Sequence, residues 1–119
     1  MANNRVYSFE KLAVWSDIRE LIRLVYKISR HFPNEEQFGL TSQLRRAVIS
    51  IGSNLAEGTG RSNEKEQRQF YRIAYASLME VLSQLVVATD LGYLPLETLD
   101  NELRPLIEKV SSKLYGLKK

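Results

Sequence analysis

Residues 70–89 read FYRIAYASLMEVLSQLVVAT, and after Arg72 the only charge in them is Glu80. Apolar side chains recur here at three- and four-residue intervals without two-residue alternation, so the run predicts a helix. Two apolar lines run along it. Phe70, Ala74, Ser77, Val81, Leu85 and Ala88 make one; Tyr71, Tyr75, Leu78, Leu82 and Val86 make its neighbour. A bundle helix needs one core-facing stripe and shows water a polar back. Two lines therefore predict cover on both sides; the second cover is assigned to another subunit, the alternative being a central helix that its own chain covers in an irregular bundle. Tyr71, Tyr75, Leu78, Leu82 and Val86 are the expected oligomer interface, because tyrosine joins a large apolar ring to a polar tip. Ala74, Ala76, Ser77 and Ser83 are small enough for close helix approach.

Outward from this run, the long helix is expected over about 63–91. Ser62 or Asn63 caps it, Asn63 with Glu66 has the spacing of a capping box, and Gly92 stops it. Leu44, Val48, Ile51 and Leu55 define a preceding helix over about 41–57, with Thr41 as cap. Gly58 ends it in a left-handed conformation. Val14, Ile18, Leu21, Val25, Ile28 and Phe32 define a first helix over about 14–31, closed by Pro33 and Asn34. Residues 1–12 form an N-terminal arm whose Tyr7, Phe9 and Leu12 pack on the bundle. A fourth helix spans about 95–115 through Leu99, Leu103, Val110 and Leu114. Pro105 lies inside it and either kinks it near 101–104 or divides it in two. The connections are short, so the fold class is all-α: an antiparallel up-down-up-down four-helix bundle that assembles into a ring-like oligomer. At 119 residues the chain is read as a single domain.

Composition narrows the chemistry. Hydrophobic residues make up 44% and charged residues 26%, as in a folded globular domain. There is no cysteine and a single histidine, His31, which excludes disulfides, thiolate metal sites and a histidine-rich centre within one chain. No catalytic residue, cofactor or metal is expected, since no pair of carboxylates stands out for acid–base work. The opening MANNRVYSFEK lacks the apolar run of a signal peptide, and the longest uncharged stretch is too short to span a bilayer. A cytoplasmic protein without membrane contact follows. The net charge of +3 is mild, and the whole excess lies in residues 1–68.

A second stretch, SIGSNLAEGTGR at residues 50–61, crowds three glycines into a corner between two helices. Ser50, Asn54 and Glu57 share one side of the earlier helix. Glu57 stands where exposed carbonyls disfavour an acid, so an arginine partner is expected, Arg61 or Arg46. Glu80, inside an apolar run, calls for Arg45 or Arg46 in the same way, or else faces a channel between subunits. Ser50, Asn54, Glu57, Gly58 and Glu80 thus form an expected corner or ion-pair network. The stretch lacks the strand and the lysine of a phosphate-binding loop. Arg45, Arg46, Arg61, Lys65 and Arg68 are the candidate contacts to RNA or DNA phosphates.

The residues FGLTSQLRRAVISIGSNLAEGTGR (38–61), FYRIAYASLMEVLSQL (70–85) and LGYL (91–94) resemble the four-helix-bundle proteins encoded in bacterial 23S rRNA intervening sequences. The likeness runs from FEKLAVW (9–15) through the fourth helix. Gln43, Arg45, Arg46, Ser50, Asn54, Glu57, Gly58, Ser77 and Glu80 match positions that recur in that family. The resemblance implies a homopentamer shaped as a short barrel with a central channel. It also implies kinship to retroelement accessory proteins that bind nucleic acid, and it brings no enzymatic residues. Two functions are expected from the whole reading: an oligomer that binds RNA or DNA through basic helix ends, or a scaffold for an unknown protein partner.

Overall fold

The computed structural model describes residues 6–119, and among them all regular structure is helical. A 3-10 turn, Ser8–Lys11, leads into α1 (Ala13–Ser29). A second short turn, Asn34–Glu36, precedes α2 (Leu40–Thr59), and α3 covers Glu64–Asp90. The fourth helix, α4, is continuous but built of three pieces: an α turn at Leu96–Thr98, a π-helical stretch at Leu99–Leu103, and an α-helix at Arg104–Lys118. Pro105 thus neither divides the helix nor simply removes a donor. Its ring would press on the carbonyl four residues back. Widening the preceding turn, so that the Arg104 N–H reaches the Leu99 carbonyl, relieves that crowding.

The helix ends follow local chemistry, in part differently from the sequence reading. Asn63 caps α3, its side-chain oxygen accepting from the N–H groups of Lys65 (2.8 Å) and Glu66 (3.2 Å). Gly92, at φ +83°, ends the helix. The Tyr93 N–H bonds the Ala88 carbonyl and the Gly92 N–H bonds that of Thr89, the paired closure that a left-handed glycine permits. Thr41 is no cap. It is buried one residue inside α2, and the Glu36 carboxylate instead accepts from the Leu40 N–H at 3.1 Å. In the N-terminal arm Phe9 meets Trp15 edge-on at 4.8 Å and Leu12 packs on the core, but Tyr7 stands 77% exposed. Residues 1–5 of that arm lie outside the described residues.

Each helix packs on two others: α2 and α4 both touch α1 and α3. This four-sided arrangement supplies from the chain itself much of the cover that the sequence assigns to another subunit. Tyr71 and Leu78 are buried in the chain's own core, and Tyr75, Leu82 and Val86 pack against it. The reason is angular. At about 100° per residue, lines through Ser77 and Leu78 are adjacent sectors of one broad arc, which α2 and α4 cover from either side. The solvent back is a third sector, with Arg72, Ile73, Ala76, Met79, Glu80, Ser83 and Val87 exposed. By length and composition alone α3 could cross a membrane, more than the sequence reading allowed. Its seven buried residues are nevertheless occupied by neighbouring helices.

Two links converge at one end. Phe32, after α1, meets Tyr93, after α3, at 5.8 Å, and the Tyr93 hydroxyl donates to Glu36 at 3.0 Å. Near the other end the last turn of α4 lies against α3, where Tyr75 and Tyr115 approach to 6.2 Å. Asp17 and Lys113 join α1 to α4 by a short ion pair.

Candidate nucleic-acid interface

The glycine-rich corner is a structural joint. Gly58 is not left-handed; it lies inside the last turn of α2, which runs on to Thr59. A Cβ there would stand 2.8 Å from the Tyr71 ring and 2.9 Å from the Phe70 Cβ. Glycine is required by the closeness of α3, not by backbone angle. Glu57 pairs with Arg61 at 2.7 Å, both side chains about half exposed, which makes the pair worth roughly 0–1 kcal/mol. Gln67 donates to the Arg61 carbonyl at 2.7 Å. The N–H groups of Gly60, Arg61, Lys65 and Glu66 already have protein acceptors, so the corner offers little of a phosphate cradle.

Ser50 and Asn54 serve the seam between α2 and α3. The Ser50 and Ser77 hydroxyls are 2.9 Å apart, and Asn54 Nδ2 donates to the Ser50 carbonyl (2.8 Å) and hydroxyl (3.0 Å). Glu80 is exposed rather than buried, and it accepts from Gln84 at 3.2 Å. It shares a notch with Arg46 and Gln43, yet among the described residues neither Arg45 nor Arg46 forms an ion pair with it. Exposure removes the desolvation cost that would have demanded one.

The five candidate cations fall into separate places. Arg45 is engaged with α1: its Nε donates to the Ser29 hydroxyl at 2.8 Å, and its guanidinium covers the Tyr26 ring at 4.7 Å. Arg45 and Arg46 are set off from Arg61 by about 20 Å of helix. Arg61 itself lies over Phe70, on the α2 side of α3, at 4.8 Å. Lys65 and Arg68 belong to the opposite flank.

That flank also holds cations the sequence reading missed, Arg72, Lys118 and Lys119. Lys65, Arg68, Arg72 and Tyr75 follow a 3-4-3 spacing, so they share one side of α3. The end of α4 adds Lys118, whose ammonium sits 4.3 Å from the Tyr115 ring and 5.0 Å from that of Tyr75. Lys119 stands 5.0 Å from Tyr115. Glu64 approaches Arg68 at 3.8 Å, but among the described residues no carboxylate pairs with Lys65, Arg72, Lys118 or Lys119. The result is a strip of five cations with two tyrosine rings set among them. Its α3 half was legible from spacing alone; the α4 half needs the tertiary contact of Tyr75 with Tyr115. Among the described residues no cluster of three or more histidines, aspartates or glutamates could hold a metal ion.

A second feature is a cleft of about 710 Å³ between α1 and α2, lined by Tyr26, Phe38, Arg45, Arg46 and Ile49 among others. Phe38 is 90% exposed. The sequence profile of one family, described as 23S rRNA-intervening sequence protein, matches residues 10–116 of the chain. No curated protein matches it.

Proposed function

The chain belongs to the 23S rRNA-intervening sequence protein family, and we propose that it is a non-enzymatic, cytoplasmic homo-oligomer that binds nucleic acid. The observation that carries the binding is the strip of Lys65, Arg68, Arg72, Lys118 and Lys119, in which, among the described residues, only Arg68 has an ion-pair partner, Glu64. Phosphates favour such a row because each contact releases condensed counterions. The four helices alternate in direction, and copies assemble into a ring. Likeness to the family suggests five subunits, and a ring would repeat the strip and add avidity. Assembly uses the outer faces of α2 and α3, where Ile49, Ile73 and Val87 are exposed, together with Phe38 in the turn before α2. Apolar side chains gathered outside the core call for a partner.

The test is fluorescence anisotropy with labelled RNA and DNA strands at low salt. Binding that is lost when Lys65, Arg72 and Lys118 become glutamine supports the proposal. No binding to duplex or single strand by an intact assembly overturns it. The second reading, a scaffold for another protein, draws on the Phe38 cleft. It gains if nucleic acid does not bind and Phe38→Ser leaves the assembly mass unchanged.

A further inference from the structure

Resting on the nucleic-acid reading above, we infer that the strip takes a single strand rather than a duplex, with an unpaired base stacked on Tyr115. Charge alone does not discriminate between the two, because both present a row of phosphates. The aromatic rings do. Tyr115 is 48% exposed at the last turn of α4, and Tyr75 stands 6.2 Å away at an interplanar angle of 61°. Lys118 lies within 5.0 Å of both rings, and Lys119 is 5.0 Å from Tyr115. Both ammonium groups lie over the Tyr115 ring, so an arriving base takes their place on it while the flexible lysines turn to the adjoining phosphate, the combination of stacking and cation by which proteins hold single strands without reading their sequence. Duplex bases are already stacked on one another and offer no free face to Tyr115. Its phosphates would still meet Lys65, Arg68 and Arg72, so a duplex binds more weakly rather than not at all. Nothing in the cluster is shaped to read base edges, and little sequence preference is expected. RNA and DNA strands share the chemistry recognised, an unpaired base beside a phosphate.

The experiment compares Tyr115→Leu, Tyr115→Trp and the unaltered chain against a mixed-sequence single strand, as RNA and as DNA, and against the matching duplex. Tyr115→Leu should weaken single-strand binding on the order of tenfold and leave duplex binding unchanged, and Tyr115→Trp should restore or exceed the original affinity. Ring fluorescence of the Trp variant should be quenched by the single strand only. Equal losses for strand and duplex, or equal affinity of the unaltered chain for both, would overturn the inference while leaving the nucleic-acid reading in place. Binding to neither would overturn that reading itself. A change of assembly mass on Tyr115→Leu would assign the ring to subunit contact and would also overturn the inference. Circular dichroism and melting of both variants establish that each is folded before binding is compared.

Discussion

Gly58 and Gly116 both lie inside helices, yet substitution should act on them in opposite directions. At Gly58 an added Cβ meets the Tyr71 ring at 2.8 Å and the Phe70 Cβ, an atom fixed to the backbone, at 2.9 Å. At Gly116 it meets nothing within 4 Å. Gly58→Ala should therefore lower stability by about 1–3 kcal/mol through overpacking. Gly116→Ala should raise it by about 0.5 kcal/mol, since alanine loses less backbone freedom on entering a helix. Urea denaturation of the two variants checks the sign of each. Nothing local in NEEQFG shows that the Glu36 carboxylate reaches both the Leu40 N–H and the Tyr93 hydroxyl. That contact spans 57 positions, beyond any spacing rule. The hydrogen bond to Glu36, with burial and the nearby negative charge, raises the pKa of Tyr93 above its ordinary 10.0. A raised folded-state pKa means that the folded chain holds the proton longer than the unfolded one. Stability from this bond is thus complete below about pH 10 and falls as pH climbs through the folded value. Tyr93→Phe should remove that part of the alkaline fall, measured as the difference between the two chains' melting curves from pH 9 to 11.

At the scale of elements, periodicity was enough to read the helices and their order, because their core stripes are local patterns. It was not enough on α3, where two apolar lines read as one core face and one subunit face. Distinguishing adjacent sectors of one buried arc from two separate faces requires knowing where α2 and α4 lie, and no spacing within α3 contains that. The same limit hid half of the basic strip. Lys118 and Lys119 join it only once α4 is laid along α3. The π-helical stretch at Leu99–Leu103 was legible only as trouble around Pro105. The proline announces a disturbance, not whether the helix bends, breaks or widens. A pair of substitutions on α3 separates core from outer face. Leu78, fully buried, should cost about 2–5 kcal/mol as Leu78→Ala and lower the melting temperature whatever the assembly state. Ile73 is 42% exposed. Ile73→Glu should leave the monomer fold intact but reduce the mass of an assembly built on that face, as read by native mass spectrometry. A folded Ile73→Glu chain of unchanged mass would place the subunit contact elsewhere, whereas a Leu78→Ala chain that dissociates without losing stability would return that residue to the interface.

For the whole molecule, a net charge of +3 understates the local field because the charges are not evenly spread. Glu35 and Glu36 in one link, with Asp90 and Glu97 at the helix ends beside the other, gather near Tyr93, while Lys65, Arg68, Arg72, Lys118 and Lys119 lie toward the opposite end. A polyanion approaching the basic strip is separated from the acidic links by more than a Debye length of about 8 Å at physiological salt, so it responds to the strip and not to the average. This gives the binding a measurable salt signature. If each cation neutralises one phosphate of a single strand, the slope of log affinity against log salt is about −0.7 per contact, or roughly −3.5 for one subunit. Affinity should then fall on the order of a hundredfold between 50 and 200 mM salt. Replacing Lys119 with glutamine should make that slope shallower by about 0.7 if the strand meets one subunit, and by a multiple of about 0.7 if it crosses several. The size of the step therefore counts the subunits a strand engages, independently of how many the assembly contains. A slope that Lys119→Gln leaves untouched would take α4 out of the interface. A slope near zero in the unaltered chain would remove the phosphate contacts altogether.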